Sequence, residues 1–342
     1  MNKVFLLILL GLYQFSSSAQ TGGDHVYEFL NLTHSGLVTS LGGSNVSITG
    51  DNLNLSYHNP ALLSSSMDRA LALDYVNYFA GINYGQAMYS RSFGNTGNFS
   101  AGITYLSYGS FTEASPAGVI TGSFSASEYA MSFIWSRNID SLLSIGIDFK
   151  PVLSHLDEYT SLGFAFDLGL SWHDRNNRFS AGFVIRNAGL ELTTYAGEQR
   201  EKLPFELMAG ASYRLPYAPL RFSMTLRHLE RYELSNESTE PGTGTTEGAN
   251  DNKFIDNTLR HIIPGVELIP HRNFYLSAGY NIQRRKEMQV LSRGSAAGFT
   301  WGFGINTTIM NIEFGRAIYH LAGATTNISL ILRTDRFYRK DH

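Results

Sequence analysis

The chain has 342 residues, 43% of them hydrophobic and only 16% charged, with 33 Gly, 19 Tyr and 22 Phe. It contains no Cys, which excludes a disulfide framework and thiolate chemistry. Its formal net charge of -3 gives no electrostatic footprint for nucleic acid, and its length suits either two soluble domains or one large closed β structure.

The N-terminus has the pattern of an export signal. Lys3 supplies the positive region, Val4 to Leu12 the apolar core, and Ser17-Ser18-Ala19 a small-residue cleavage site before Gln20. That apolar run is too short to span a bilayer comfortably as a helix, and no later segment approaches the roughly 18 apolar residues a transmembrane helix needs. An exported product of this kind is soluble or enters a membrane as β structure.

From Gln20 to Met67 the sequence is rich in Gly, Ser and Asn and lacks any alternating run of strand length. Its last part, DNLNLSYHNPALLSSSMD (Asp51 to Asp68), carries a turn signal at Asn59-Pro60-Ala61, because proline fixes its own φ and biases Asn59 toward an extended conformation.

From residue 68 the pattern changes to period two. About fourteen segments are expected, starting near residues 69, 80, 97, 124, 141, 159, 178, 205, 219, 259, 272, 295, 309 and 325. In LLSIGIDFK, Leu143, Ile145, Ile147 and Phe149 oppose Ser144, Gly146, Asp148 and Lys150. In LPFELMAGASYRL, Phe205, Leu207, Ala209, Ala211 and Tyr213 oppose Glu206, Met208, Gly210, Ser212 and Arg214. PLRFSMTLRH sets Leu220, Phe222, Met224 and Leu226 against Arg221, Ser223, Thr225 and Arg227, and NFYLSAGYNIQ alternates from Phe274 to Ile282. Several of these runs reach about 10 residues, the length that crosses a bilayer at a tilt, where strands of soluble proteins are typically about 5 or 6.

Short links such as GNTG, RNID, HDRNN, PYAP and PHRN alternate with longer ones, among them Gly109 to Ser123, Glu191 to Leu203, Tyr232 to Asn257 and Arg284 to Gly294. An even strand count with short turns at one end and long loops at the other predicts an all-β transmembrane antiparallel barrel of about 14 strands, residues 68–342. A lumen of that size is not filled by wall side chains alone, so residues 20–67 are expected to plug it. They are expected to enter from the periplasmic end and to seat Asp51, Asn59, Pro60 and Ala61 against the wall.

Asp148, Asp167, Glu206, Arg214, Arg221, Arg227, Glu267 and Glu313 fall on the phase expected to face the lumen. Facing lipid, an arginine at mid-membrane would cost about 2–4 kcal/mol. These groups are expected to pair with one another or with the plug; a substrate path is the functional alternative. Pro264 removes a ladder donor and is a candidate for a bulge or wall kink. No Gly-x-Ser-x-Gly elbow, H-x-x-x-H or H-E-x-x-H occurs, so neither catalysis, a metal nor a cofactor is expected. His155, His173, His261 and His271 are expected at solvated strand ends.

The motif SYHNPALL after Asp51 resembles the Asn-Pro-Ala hatch of the FadL superfamily of outer-membrane barrels, and NIEFGRAIYHLAGATTNISLILR resembles that superfamily's last hairpin. YEFLNLTHSGLVTSLGGSNVSI, Tyr27 to Ile48, is similar to the opening of the PorQ family, FadL-like barrels of the type IX secretion system. Relatives often carry Ser-Ala-Arg where this chain has Ser35-Gly36-Leu37. The resemblance implies a bacterial outer-membrane scaffold with loops at the cell surface. It would work with a PorZ-like surface protein, a PorU-like sortase and a PorV-like shuttle barrel, in a complex that processes secreted cargo and attaches it to lipopolysaccharide. A FadL-like channel for hydrophobic small molecules is the alternative.

Overall fold

Period-two alternation gives each strand an apolar face and a polar or small one, and in the computed structural model that property closes the chain into a cylinder. The structure describes residues 25–78, 81–195, 200–234, 250–288, 296–320 and 323–337. The strands are β1 (Ala70–Asn77), β2 (Asn83–Ser92), β3 (Asn98–Ala114), β4 (Ile120–Asn138), β5 (Leu143–Leu156), β6 (Tyr159–His173) and β7 (Phe179–Thr193), followed by β8 (Glu206–Arg214), β9 (Leu220–Leu226), β10 (Ile262–His271), β11 (Phe274–Tyr280), β12 (Phe299–Asn306), β13 (Met310–His320) and β14 (Gly323–Arg333). Each pairs antiparallel with its sequence neighbours, and β1 closes the ring on β14 from Ala70↔Arg333 to Asn77↔Thr326.

The outer face is apolar. Leu73, Ile103, Met131, Phe133, Leu168, Phe183, Met224, Leu276 and Ile328 all point outward and are exposed. Phe99, Trp172, Phe179 and Tyr213 ring the short-turn end, and Tyr75, Tyr105, Tyr159 and Tyr280 the long-loop end. An exposed apolar band between two aromatic girdles is the surface a bilayer covers.

The segment before β1 lies inside. Every residue from Thr33 to Ile48 and from Asn52 to Leu63 is buried. Short helices at Gly36–Ser40 and Leu55–His58 and a 3-10 turn at Pro60–Leu62 give it local structure, and its contacts come from strands all round the wall. One expectation is corrected. The first described residues lie at the long-loop end, where His25 bridges Lys202 and the Val26 amide donates to the Lys202 carbonyl at 3.0 Å. The segment then crosses the lumen and leaves at the short-turn end through Met67. The expected leader, 1–19, lies outside the described residues.

Three other expectations change. Gly109 to Ser123 is not a loop, because β3 and β4 run on as a projecting hairpin with only Ser115 to Val119 unpaired at its tip. The long links after β9 and β11 contain helices, Asn250–Arg260 and Ile282–Glu287, so Ile282 belongs to a helix rather than to the strand before it. Pro264 keeps register with β9 opposite Met224, and no bulge occurs there; the irregularity in β10 falls instead between Leu268 and His271. Pro264 sits where the ladder to β11, which begins at Gly265, has ended.

Candidate functional site

The interface between plug and wall begins with Asn59. Its extended backbone lets the side-chain carbonyl accept from the Ala61 amide at 3.0 Å, which starts the Pro60–Leu62 turn. Its amide donates to the carbonyls of Val46, at 2.8 Å, and Leu170 of β6, at 3.0 Å. One side chain thus ties two plug segments to the wall. The wall makes room for it with glycine. Gly146 of β5 pairs with Gly169 of β6, and a Cβ on either would overlap Pro60, Ala61 or Asn59. Gly182 of β7 pairs with Gly210 of β8 beneath Val46, and on the opposite side Gly265 pairs with Gly279 beneath Leu41 and Gly42. A residue-by-residue reading treats strand glycines as weak points. The signal available was their recurrence on the inward phase of neighbouring strands.

Asp51 is ion-paired with Arg333 at the short-turn end. Glu313 of β13 accepts from the Asn52 amide at 2.6 Å and from the Leu37 backbone amide at 3.2 Å. Two amides from the plug, one side-chain and one backbone, thus satisfy this wall carboxylate. Gly36 fits closely beneath it, since a Cβ there would press on the Glu313 backbone.

Of the other charges expected in the lumen, all but Arg214 are ion-paired. Arg227 grips Glu206 with two bonds of 2.6 and 2.9 Å, and Arg221 grips Glu267 with two of 2.5 and 2.6 Å. Both are bidentate guanidinium–carboxylate pairs, whose planar fork supplies geometry as well as energy. Mid-lumen, Lys150 contacts Asp167 and lies 3.9 Å from Asp148, while Arg186 lies 3.7 Å from Asp167. All four are buried, and the Tyr57 ring of the plug sits 4.7 Å from the Lys150 ammonium. This four-charge cluster completes the expected set with two residues not singled out from sequence. Lys150 followed the alternation but was not picked from it. So did Arg186, at a bulge in which Arg186 and Asn187 together oppose Asp167, with Asn187 at φ 53°. Arg214 is corrected the other way. It is exposed at the rim of the short-turn end, in register with Arg221, and takes no part in the luminal pairing.

Two plug histidines join the cluster. His34 and His58 are buried, and burial, reinforced by Arg186 and Lys150, pushes His34 down to about 3 and His58 well below the usual imidazole range. His261, expected to be solvated, is instead buried, with ring contacts of 2.7 and 3.1 Å to the carbonyls of Arg227 and Tyr232. Among the described residues, no three His, Asp or Glu side chains gather to hold a metal ion.

At the long-loop end a cavity of about 230 Å³ lies between the plug, whose His25 and Glu28 border it, and the wall. Its floor is Asn31, Leu32, Thr33 and Gly43, and its walls include Tyr78, Arg227, Arg231, Arg284 and Tyr319.

No family model matches the sequence, and no curated protein matches it. Similar folds occur among solved structures. A TodX monoaromatic hydrocarbon channel variant is similar at 12% identity, with a TM-score of 0.52, over 86% of this chain and 97% of that one. The Pseudomonas putida toluene transporter TodX is 13% identical over 86% of this chain and 95% of its own, with a TM-score of 0.49. A Pseudomonas aeruginosa FadL homologue is 9% identical over 88% and 98%, with a TM-score of 0.46. The first of these, with the closed ring of fourteen strands and the luminal segment, defines the class: an outer-membrane β-barrel of FadL-like architecture.

Proposed function

We propose that this chain is a sealed outer-membrane anchor with no catalytic role, which presents its long-loop end at the cell surface to a protein partner, in the manner implied by the PorQ-like opening from Tyr27 to Ile48. The observation that carries this reading is the occupied lumen. Two wholly buried runs of plug fill it, fixed by side-chain amides, glycine seats and the Asp51–Arg333 ion pair, while bidentate ion pairs brace the wall around them. Such an interior suits a rigid support. A hydrophobic solute would have to displace buried charges whose partners would then be left unpaired, at several kcal/mol each. The rim gives a partner something to grip: Val119 and Ile120 at the tip of the β3–β4 hairpin are 62% and 71% exposed, and Phe254 and Ile255 on the helix after β9 are 62% and 56% exposed. Within a type IX attachment complex, PorZ-like, PorU-like and PorV-like proteins are the candidate partners.

A channel for hydrophobic small molecules is the second reading, and the comparisons side with it, because the structure neighbours include a toluene transporter and a monoaromatic hydrocarbon channel. One experiment separates the two. Shortening the β3–β4 hairpin tip and the links after β9 and β11 together should release a surface partner into the medium and leave cargo unattached, at unchanged barrel level. If the partner stays bound, and a deletion strain loses only uptake of a hydrophobic compound, the anchor reading falls and the channel stands.

A further inference from the structure

We propose that the cavity at the long-loop end is a binding site for a sugar-sized molecule bearing a single phosphate or carboxylate, held by Arg284. The cavity has the room of roughly eight water molecules, too little for a long acyl chain and enough for a monosaccharide. Two carboxylates line it, Glu28, 3.2 Å from His25 Nδ1, and Glu287, which accepts from the Gln283 amide at 2.9 Å, and of its three arginines one is left without a carboxylate among the described residues. Arg227 is committed to Glu206 by two hydrogen bonds, and Arg231 lies 3.8 Å from Glu230. Among the described residues Arg284 has no carboxylate within ion-pair distance.

Arg284 is nevertheless held firmly. Its backbone amide donates to the Asn281 side chain at 2.9 Å, its guanidinium carbon lies 3.8 Å from the centre of the Tyr319 ring, and Nη2 donates to the Tyr319 hydroxyl at 3.1 Å. Nη1 is left buried without a hydrogen-bond partner. A buried guanidinium nitrogen with nothing to donate to is costly unless a ligand supplies the acceptor. The plug shapes the place for it. Gly43, at φ +90°, lies so close to the Arg284 fork that a Cβ there would crowd Nη2, and Asn281 donates to the Gly42 carbonyl at 3.2 Å. The Leu41-Gly42-Gly43 turn therefore positions the arginine. Around it, Tyr78, Phe205 and Tyr319 give aromatic faces and Asn31, Thr33 and Gln283 polar groups, the mixture that suits a hydroxylated ring with one anionic substituent.

Calorimetric titration of the full chain in neutral-lipid nanodiscs with glucose 6-phosphate, gluconate and glucose tests this. The two anions should bind saturably at one site, and glucose roughly tenfold or more weaker. Arg284→Gln should abolish the preference for the anions, Arg284→Lys should keep part of it, and Arg175→Gln at the opposite end should change nothing. Repeating the titration in nanodiscs containing anionic phosphatidylglycerol tells the sources of such a group apart: competition assigns the site to a lipid headgroup and its absence to a free solute, the site standing in both cases. No saturable binding, equal binding of glucose and glucose 6-phosphate by the native chain, or equal binding by native and Arg284→Gln protein overturns the proposal.

Discussion

Asn59 and His34 show how single side chains hold the plug. Removing the Asn59 amide leaves the carbonyls of Val46 and Leu170 without its bonds, at a cost of about 1–3 kcal/mol for buried groups. In Asn59→Ala, hydrogen exchange of plug amides from Val46 to Leu63 should speed up while strand amides stay protected; equal protection of both would refute the seat. His34 makes docking sensitive to acid. Its docked value of about 3 lies below the ordinary 6.5, so a released plug binds a proton that the docked one does not. Docking is therefore at full strength above about pH 6.5 and weakens as pH falls toward 3. Around His34 lie Arg186, Lys150, Tyr57 and His58, so the direction is best isolated by His34→Gln, which should flatten the acid-dependent rise in protease access to the plug. An unchanged pH profile would remove His34 from the account. At this scale sequence showed residue types and phase: Asp148, Asp167, Glu206, Arg221, Arg227, Glu267 and Glu313 were legible as inward-facing because alternation fixes orientation. Arg186 shares the inward phase of Ser180, Gly182 and Val184 and could have been read from it, the bulge adding only Asn187 beside it; the plug histidines were not legible, because their burial depends on a wall distant in sequence.

Elements were more legible than residues. Strand starts such as Tyr159, Phe179 and Leu220 fall within a residue or so of expectation because turn signals bound them, whereas the β3–β4 hairpin was missed because its Ser, Thr and Gly above the membrane carry no apolar alternation. The glycine seat is an element-scale device, and it predicts a specific failure. Gly169→Val should leave β5 to β7 paired but press on Asn59, destabilising the docked plug by roughly 1–3 kcal/mol. The same exchange measurement applies, and protection of the plug equal to the native chain would count against close packing. The two rim helices are joined by an acid-sensitive clasp. Asp256 contacts Lys286 at 2.6 Å and Arg260 at 2.9 Å, and the Lys286 bond first, then Arg260, hold its carboxyl below the usual range. This support is present above the ordinary carboxylate value and is lost as pH falls through the lower docked one. Because the pair is exposed, its contribution is small and screened by salt. Amide exchange in residues 254–260 should rise in acid for the native chain and show no such rise in Asp256→Asn.

At the scale of the whole molecule the ring of hydrogen bonds has no free edge, so the folded protein should resist detergent at room temperature and change mobility only after boiling. A chain lacking residues 26–67 should keep that behaviour but conduct ions in a planar bilayer, while the native chain stays closed at neutral pH. An open native chain, or a closed truncated one, would show that these residues do not plug the lumen.

The seam between β1 and β14 also sets an order of events during biogenesis. The strands that close the cylinder are its first and last, and the luminal segment precedes the first, so its seats on β5 to β14 are synthesised after it. Once Ala70 has zipped to Arg333 the cylinder offers that segment entry only through its two mouths, whereas an unclosed sheet admits it from the side. The segment must therefore wait, unpartnered, until most of the wall exists, and then either enter sideways before the final zip or thread through a mouth after it. A disulfide engineered across the β1–β14 seam, formed before the segment docks, separates the two orders: side entry leaves an empty, conducting shell, and threading leaves a closed one.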